Sequence, residues 1–281
     1  MVDLFNRLPL IATSAIRSCH GSGYWFWPQS ILTAALVSLI GISSPPAIVR
    51  AATPRDTPAD LKALFSQIDT AASSKNLPAV IQLYSSNFNQ TDGLTRQTLE
   101  QALKQLWNRF STLNYQTQVQ SWKREGNSYL VETVTLITGE QKNSDRTWNL
   151  TSTLRAVQRI ENQKLVQQEV LSEKSQLTSG KNPPQVQIEA PEQVKPGQEF
   201  SFDAIVQEPL GSDILLGAAI EEPVQVSGLL NPTTVALEIL PAGGLFKVGK
   251  SAQKPESRWL SAVLVRFDGI TMVTQRLRVS P

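Results

Sequence analysis

Thr57-Pro58-Ala59-Asp60-Leu61-Lys62-Ala63-Leu64-Phe65 opens a stretch that runs on to Leu106-Trp107-Asn108-Arg109-Phe110, and its periodicity decides the fold. Threonine can cap free amides, proline suits the first helical position, and Asp60 favours the positive end of a helix dipole. Leu61, Leu64, Phe65, Ile68, Ala71 and Ala72 then fall on one helical face, and Ser73-Ser74-Lys75-Asn76 ends the pattern. A second helix is expected with Leu77, Val80, Ile81, Tyr84 and Phe88 on one side. Asp92-Gly93 marks a turn. A third helix is expected from Thr95, stacking Leu99, Ala102, Leu103, Leu106, Trp107 and Phe110. Each helix has one apolar stripe and so needs a partner surface.

That surface follows in the chain. Leu113, Tyr115, Thr117 and Val119 alternate with Asn114, Gln116, Gln118 and Gln120, the period of a half-exposed strand. Gly126-Asn127 turns the chain into a second strand over Tyr129–Thr138. Two more strands are expected over Trp148–Ile160 and Leu165–Leu171. Three helices followed by four strands with short turns give an α+β plan, an antiparallel sheet covered on one face.

Lys75-Asn76-Leu77-Pro78-Ala79-Val80-Ile81-Gln82-Leu83-Tyr84, then Phe88, Asp92-Gly93 and a helix ending at Trp107-Asn108-Arg109-Phe110 resemble the nuclear-transport-factor-2-like (NTF2-like, or SnoaL-like) superfamily, over about Pro58 to Glu173. The resemblance implies a cone in which a curved sheet and helices enclose a pocket. Members include isomerases, cyclases, dehydratases and pure binding modules, and many dimerise through the convex sheet face, so fold alone does not give function. Tyr84, Trp107, Tyr115, Glu132 and Trp148 are the residues expected to approach such a pocket. Glu132 stands out because it interrupts Leu130–Ile137, otherwise threonine and aliphatic. Each of these has a plainer reading, core for the aromatics and a solvated pair for Glu132. No catalytic residue transfers by position, since Asn87 stands where related enzymes often have an acid.

The first fifty-one residues read as targeting. Arg7 and Arg17 precede an apolar run, Ile31–Ile42, and Val49-Arg50-Ala51 fits a cleavage site leaving Ala52 first. Tyr24-Trp25-Phe26-Trp27 suits a membrane interface, so an uncleaved N-terminal anchor is the alternative. Either way the body is expected to be exported, as a periplasmic, lumenal, secreted or anchored protein. An NTF2-like domain is expected over 52–174, a linker over 175–185, where Ser, Thr, Gly and two prolines collect, and a second domain over 186–281. That last part shows seven short strand patterns separated by Pro and Gly clusters, with no helical period. This is the pattern of an all-β, immunoglobulin-like sandwich.

Charge excludes one class of partner. Three of the 26 Lys and Arg and one of the 24 Asp and Glu precede Ala52, so 23 of each sign remain. A body with no net charge, in a chain of which only 18% is charged, lacks the field that nucleic-acid binding needs. The single cysteine, Cys19, and single histidine, His20, both lie in the leader. A chain beginning at Ala52 would have no thiolate nucleophile, no imidazole base and no Cys/His metal site. No cofactor and no metal are expected.

Gly244-Leu245-Phe246-Lys247-Val248-Gly249-Lys250-Ser251 matches the phosphate-binding loop pattern, but no helical sequence follows it, so a glycine-containing hairpin is the expectation. Asp92 with Arg96 reads as a turn plus cap. Asp203, Glu208, Asp213, Glu221 and Glu222 lack the spacing of a calcium loop and read as a solvated acidic edge. These readings favour a non-catalytic protein whose cone takes a small apolar ligand or a protein partner. The alternative is a small isomerase, dehydratase or hydrolase using carboxylate and tyrosine acid–base chemistry.

Overall fold

The computed structural model describes residues 54, 56–143, 146–209, 211, 213–225, 236–240 and 243–281. The leader and its cleavage site lie outside the described residues. Among the described residues no helix is long and apolar enough to cross a membrane.

Helix α1 spans Ala59–Ser73 and buries Leu61, Leu64, Phe65 and Ala72. Thr57 does not cap it; its hydroxyl donates instead to the Pro54 carbonyl at 2.8 Å. Helix α2 covers only Leu77–Gln82, with Asn76 accepting from the Ala79 amide. Tyr84 and Phe88, expected on that helix, lie instead on strand β1, Tyr84–Gln90. A spacing of four fits both periods, and Ser85-Ser86-Asn87 weakens a helix by competing for backbone hydrogen bonds, as when the Ser85 hydroxyl accepts from the Asn87 amide. Helix α3 spans Arg96–Arg109, and Thr95 and Thr98 form a reciprocal capping box.

Four long antiparallel strands follow: β2 (Thr112–Glu125), β3 (Ser128–Lys142), β4 (Thr147–Glu161) and β5 (Lys164–Gly180). Register shifts between Val119 and Ser121, Arg155 and Ala156, and Arg159 and Ile160 bend them. Such bulges curve a sheet over its contents. The concave face carries Val131, Ile137, Leu150, Ala156 and Leu177, all buried beneath the helices.

Strand β5 joins the two halves of the chain. Its first part pairs in parallel with β1, through Tyr84 with Leu165 and Gln90 with Gln168. Its last part pairs antiparallel with β13 (Gly269–Val279), from Gln275 with Lys174 to Gly269 with Gly180. Residues 175–180, expected in a linker, are therefore strand. Their serines and threonine signalled a loop, yet Ser175, Leu177 and Ser179 alternate inward and are buried. A Ser152–Ser175 hydroxyl contact at 2.7 Å satisfies the first of these serines. Gly180, at φ +101°, has no room for a side chain against Asp268.

Among the described residues the C-terminal half holds strands and no helix. Strands β6 (Val186–Glu189), β8 (Glu199–Val206) and β11 (Gly244–Lys250) form a three-stranded sheet. β9 (Leu216–Pro223), β10 (Glu238–Ile239), β12 (Glu256–Arg266) and β13 extend the large sheet, and the short β7 (Gln193–Val194) pairs with β13. The stretch resembling a phosphate-binding loop is the extended β11, registered antiparallel against β8. One face of β12 and β13 packs Leu260, Leu264, Val273 and Leu277 against Phe200, Phe202 and Leu245. The other packs Val263, Ile270 and Met272 against Leu106, Trp107 and Phe110 of the helical layer. Covering on both faces explains why Gly269 to Leu277 is buried without a break.

Replacing Leu177 with alanine should lower unfolding free energy by about 2–5 kcal/mol, the range for a core leucine. A residue in a solvated linker would change it by less than about 0.5 kcal/mol, and urea denaturation separates the two.

Candidate functional site

The concave face and the helices enclose a partly open cavity of about 160 Å³. Its apolar walls include Leu99, Leu103 and Leu106 of α3, Ile137 of β3, Leu154 of β4 and Val170 of β5. Polar groups collect at two places on this surface.

The first lies where α1 crosses β2. Among the described residues strand β2 ends the large sheet, and its outward amides have no strand partner there. Helix α1 supplies acceptors: Asp69 Oδ2 takes the Thr117 amide at 2.6 Å, and Ser73 Oγ takes that of Tyr115 at 2.9 Å. Asp69 Oδ1 also accepts from the Thr117 hydroxyl at 2.7 Å. Burial pushes the Asp69 carboxyl above the usual carboxylate range, while its two bonds from Thr117 oppose the shift. Tyr115 and Tyr84 line the same wall. The Trp107 indole donates to the Tyr115 hydroxyl at 3.0 Å. Burial pushes the Tyr115 phenol up to about 12 against that bond. It does the same for Tyr84, where Tyr115 and Asp69 add to the rise.

The second polar place comes from the C-terminal half. Trp259 of β12 and Arg276 of β13 sit opposite each other in register and both line the cavity. Arg276 Nη1 pairs with Asp92 Oδ2 at 2.8 Å, and Nη2 lies 3.7 Å from Glu173 Oε2. The three side chains are 3%, 9% and 3% exposed, so the cluster is nearly dry. The guanidinium carbon lies 4.9 Å from the centre of the Trp259 ring, a cation–π geometry. Asp92 is held in place by its turn, in which Gly93 adopts φ +92° and the Gln90 amide donates to the Leu94 carbonyl. The Thr91 amide donates to the Gln168 carbonyl and fastens that turn to β5.

Three of the five residues expected at a pocket, Tyr84, Trp107 and Tyr115, meet in this cavity. Trp148 packs with Leu150 and Leu177 in the core and does not line it. Glu132 is not in it either. It lies on the opposite face of β3 from Thr135 and Ile137, where Oε1 accepts from Arg155 Nε at 2.6 Å across to β4. Even positions of β3 point outward, so Glu132 is the solvated ion pair of the plainer reading. The Asp92–Arg96 pairing is also absent: Arg96 Nε donates to the Ile81 carbonyl, and Asp92 turns to Arg276. Asp69 had a signal in the sequence, an acid on the apolar stripe of Phe65 and Ala72. Arg276, Glu173 and Trp259 had none that periodicity could rank, since their meeting depends on strand order.

Among curated proteins none matches the chain. A domain-family profile described as a domain of unknown function, DUF8623, matches residues 181–280. Solved structures similar to the chain are NTF2-like and cover its N-terminal portion. A Novosphingobium aromaticivorans protein provisionally called a scytalone dehydratase aligns at 10% identity and TM-score 0.34, over 40% of this chain and 80% of that one. An LEH-like epoxide hydrolase of M. tuberculosis aligns at 7% and 0.29, over 40% and 80%. An NTF2-like protein of unknown function from an Exiguobacterium species aligns at 15% and 0.30, over 40% and 95%. Likeness at this level carries no residue role across.

The two cavity tyrosines give a direct check. In an ultraviolet phenolate titration, Tyr84 and Tyr115 should ionise only near pH 12. Because their folded values are raised, the stability they contribute is full below about pH 10 and lost as pH climbs from 10 toward 12. Tyr84→Phe protein should lack one late-ionising phenol. Complete phenolate formation near pH 10 with the circular dichroism of the folded chain intact would contradict this placement.

Proposed function

We propose that this protein binds a small, largely apolar molecule in the cavity between helices and sheet, without transforming it. The reading takes the N-terminal half as an NTF2-like cone. It takes the C-terminal half as an immunoglobulin-like sandwich, one of whose sheets continues the cone's. Its setting in this reading is outside the cytoplasm, after export or tethered by the N-terminal segment. The observation that carries the proposal is how the carboxylates of the cavity wall are engaged. Asp69 holds two donors of Thr117, and Asp92 and Glu173 flank Arg276, so each is committed to the scaffold. The volume fits such a role, since a dry cavity of about 150 Å³ suffices for benzene.

One observation favours a catalytic reading: the raised carboxyl of Asp69 shares a wall with Tyr84 and Tyr115, a pairing suited to proton transfer. In that version Asp69 takes the place given to Glu132 in the sequence reading.

Native mass spectrometry of protein incubated with a small-molecule extract of its expression host tests the proposal. A bound species of defined mass is expected, absent from a Val170→Trp protein whose cavity is filled. Recovery of that species chemically altered, with Asp69→Asn abolishing the change, would establish the catalytic reading instead. A bare chain after every incubation would rule out both.

A further inference from the structure

One wall of the cavity is thin. Where α1 crosses β2, an open groove of about 790 Å³ lies on the outer side of the seam. Lys62, Ser66 and Thr70 of the helix and Asn114 of the strand line it and are exposed. Phe65, Asp69, Tyr115 and Thr117 line the groove and the cavity alike, so a single layer of side chains separates the two. The rest of the enclosure is built differently. Backbone ladders run from β2 through β3, β4, β5 and β13 to β12, and α2 lies against both α1 and α3. Opening a ladder breaks many bonds at once, which places paired core strands at the stable end of local unfolding. Among the described residues no ladder joins α1 to β2. The seam is held by side-chain acceptors, Asp69 for the Thr117 amide and hydroxyl and Ser73 for the Tyr115 amide. Apolar anchoring along α1 is uneven as well. Leu61, Leu64 and Phe65 sink into the cluster of Phe88, Val119 and Val131, whereas beyond Phe65 the helix buries only Ala72. The helix is pinned by packing at its start and by a few hydrogen bonds over the cavity, the build of a segment that opens locally without unfolding.

We propose that this seam is the route by which the ligand enters and leaves: the groove is the vestibule of the cavity, and the bonds of Asp69 and Ser73 to β2 are its latch. This rests on the cavity being the binding site. It gives the second half of α1 a part in the rate of binding, separate from the apolar walls that set affinity.

Toluene binding to the purified protein tests it, with affinity read by calorimetry and exchange rates by NMR line shape. Thr70→Trp places a bulky side chain in the groove, at an exposed position that does not line the cavity. It should slow entry and exit alike, about tenfold each, and leave Kd unchanged, since an obstruction on the route raises the barrier without touching the bound state. Ser73→Ala removes one latch bond, also outside the cavity lining, and should speed both rates with Kd again unchanged. Gln101→Trp, at an exposed position of α3 outside both linings, should change neither rate. Rates in Thr70→Trp protein equal to those of the unmutated chain would overturn the route and leave the cavity as a binding site. Equal slowing by Gln101→Trp, or a loss of affinity carried by faster exit alone, would overturn it too. Failure of toluene to bind the unmutated protein would overturn both the route and the binding role of the cavity.

Discussion

Arg276 is a charge held almost out of water between Asp92 and Glu173, with Trp259 beneath it. Desolvating such groups costs several kcal/mol per ion, and the arrangement holds only where partners are fixed in good geometry. Here three separate parts of the chain do the fixing. β13 carries the guanidinium, β5 carries Glu173, and the Gly93 turn between β1 and α3 carries Asp92. The pairing of β13 with the last part of β5 brings Arg276 beside Glu173, and the anchoring of the turn to Gln168 brings Asp92 over both. The cavity depends on the same contacts, because this cluster forms one of the two polar places on its wall.

The large sheet therefore does not stop where the composition of the chain changes. Strand β5 pairs with β1 near its start, with β13 near its end and with β4 along its length. The C-terminal strands are covered on both faces, by the helical layer on one and by β8 and β11 on the other. At the far edge the same sheet is closed differently. Asp69 and Ser73 of α1 accept the outward amides of β2, a side-chain substitute for a missing strand. Asp69 can thus be explained as a clamp before it is asked to be a base.

Local pattern foretold much of this. The stripes of α1 and α3 and the alternation of β2 follow from hydrophobic period, and the Thr95 cap and the Gly93 turn follow from backbone chemistry. Period failed at Tyr84 and Phe88, where a spacing of four fits helix and strand alike and pairing with β5 decided between them. Composition failed at 175–180, because serines that look like a linker are also small enough to be buried on the inward face of a strand. Glu132 drew attention by interrupting an apolar strand, yet residue identity alone does not say which face of the sheet is concave. Three of the aromatics expected in the pocket do reach it, since each sits on a stripe facing the core. Arg276 and Trp259 could not be found this way. Their role arises from a strand order in which the C-terminal hairpin lies beside β5, where Gly180 pairs with Gly269 and Lys174 with Gln275, far apart in sequence.

The central claim is that the two halves form one cooperative unit around a shared cavity. Hydrogen exchange read by mass spectrometry through a urea series, comparing amides of β3 with those of β12, tests it most directly. The account predicts that both sets lose protection at the same midpoint, because β5 and the Arg276 cluster tie them together. Loss of protection in β12 at a urea concentration where β3 stays fully protected would contradict it.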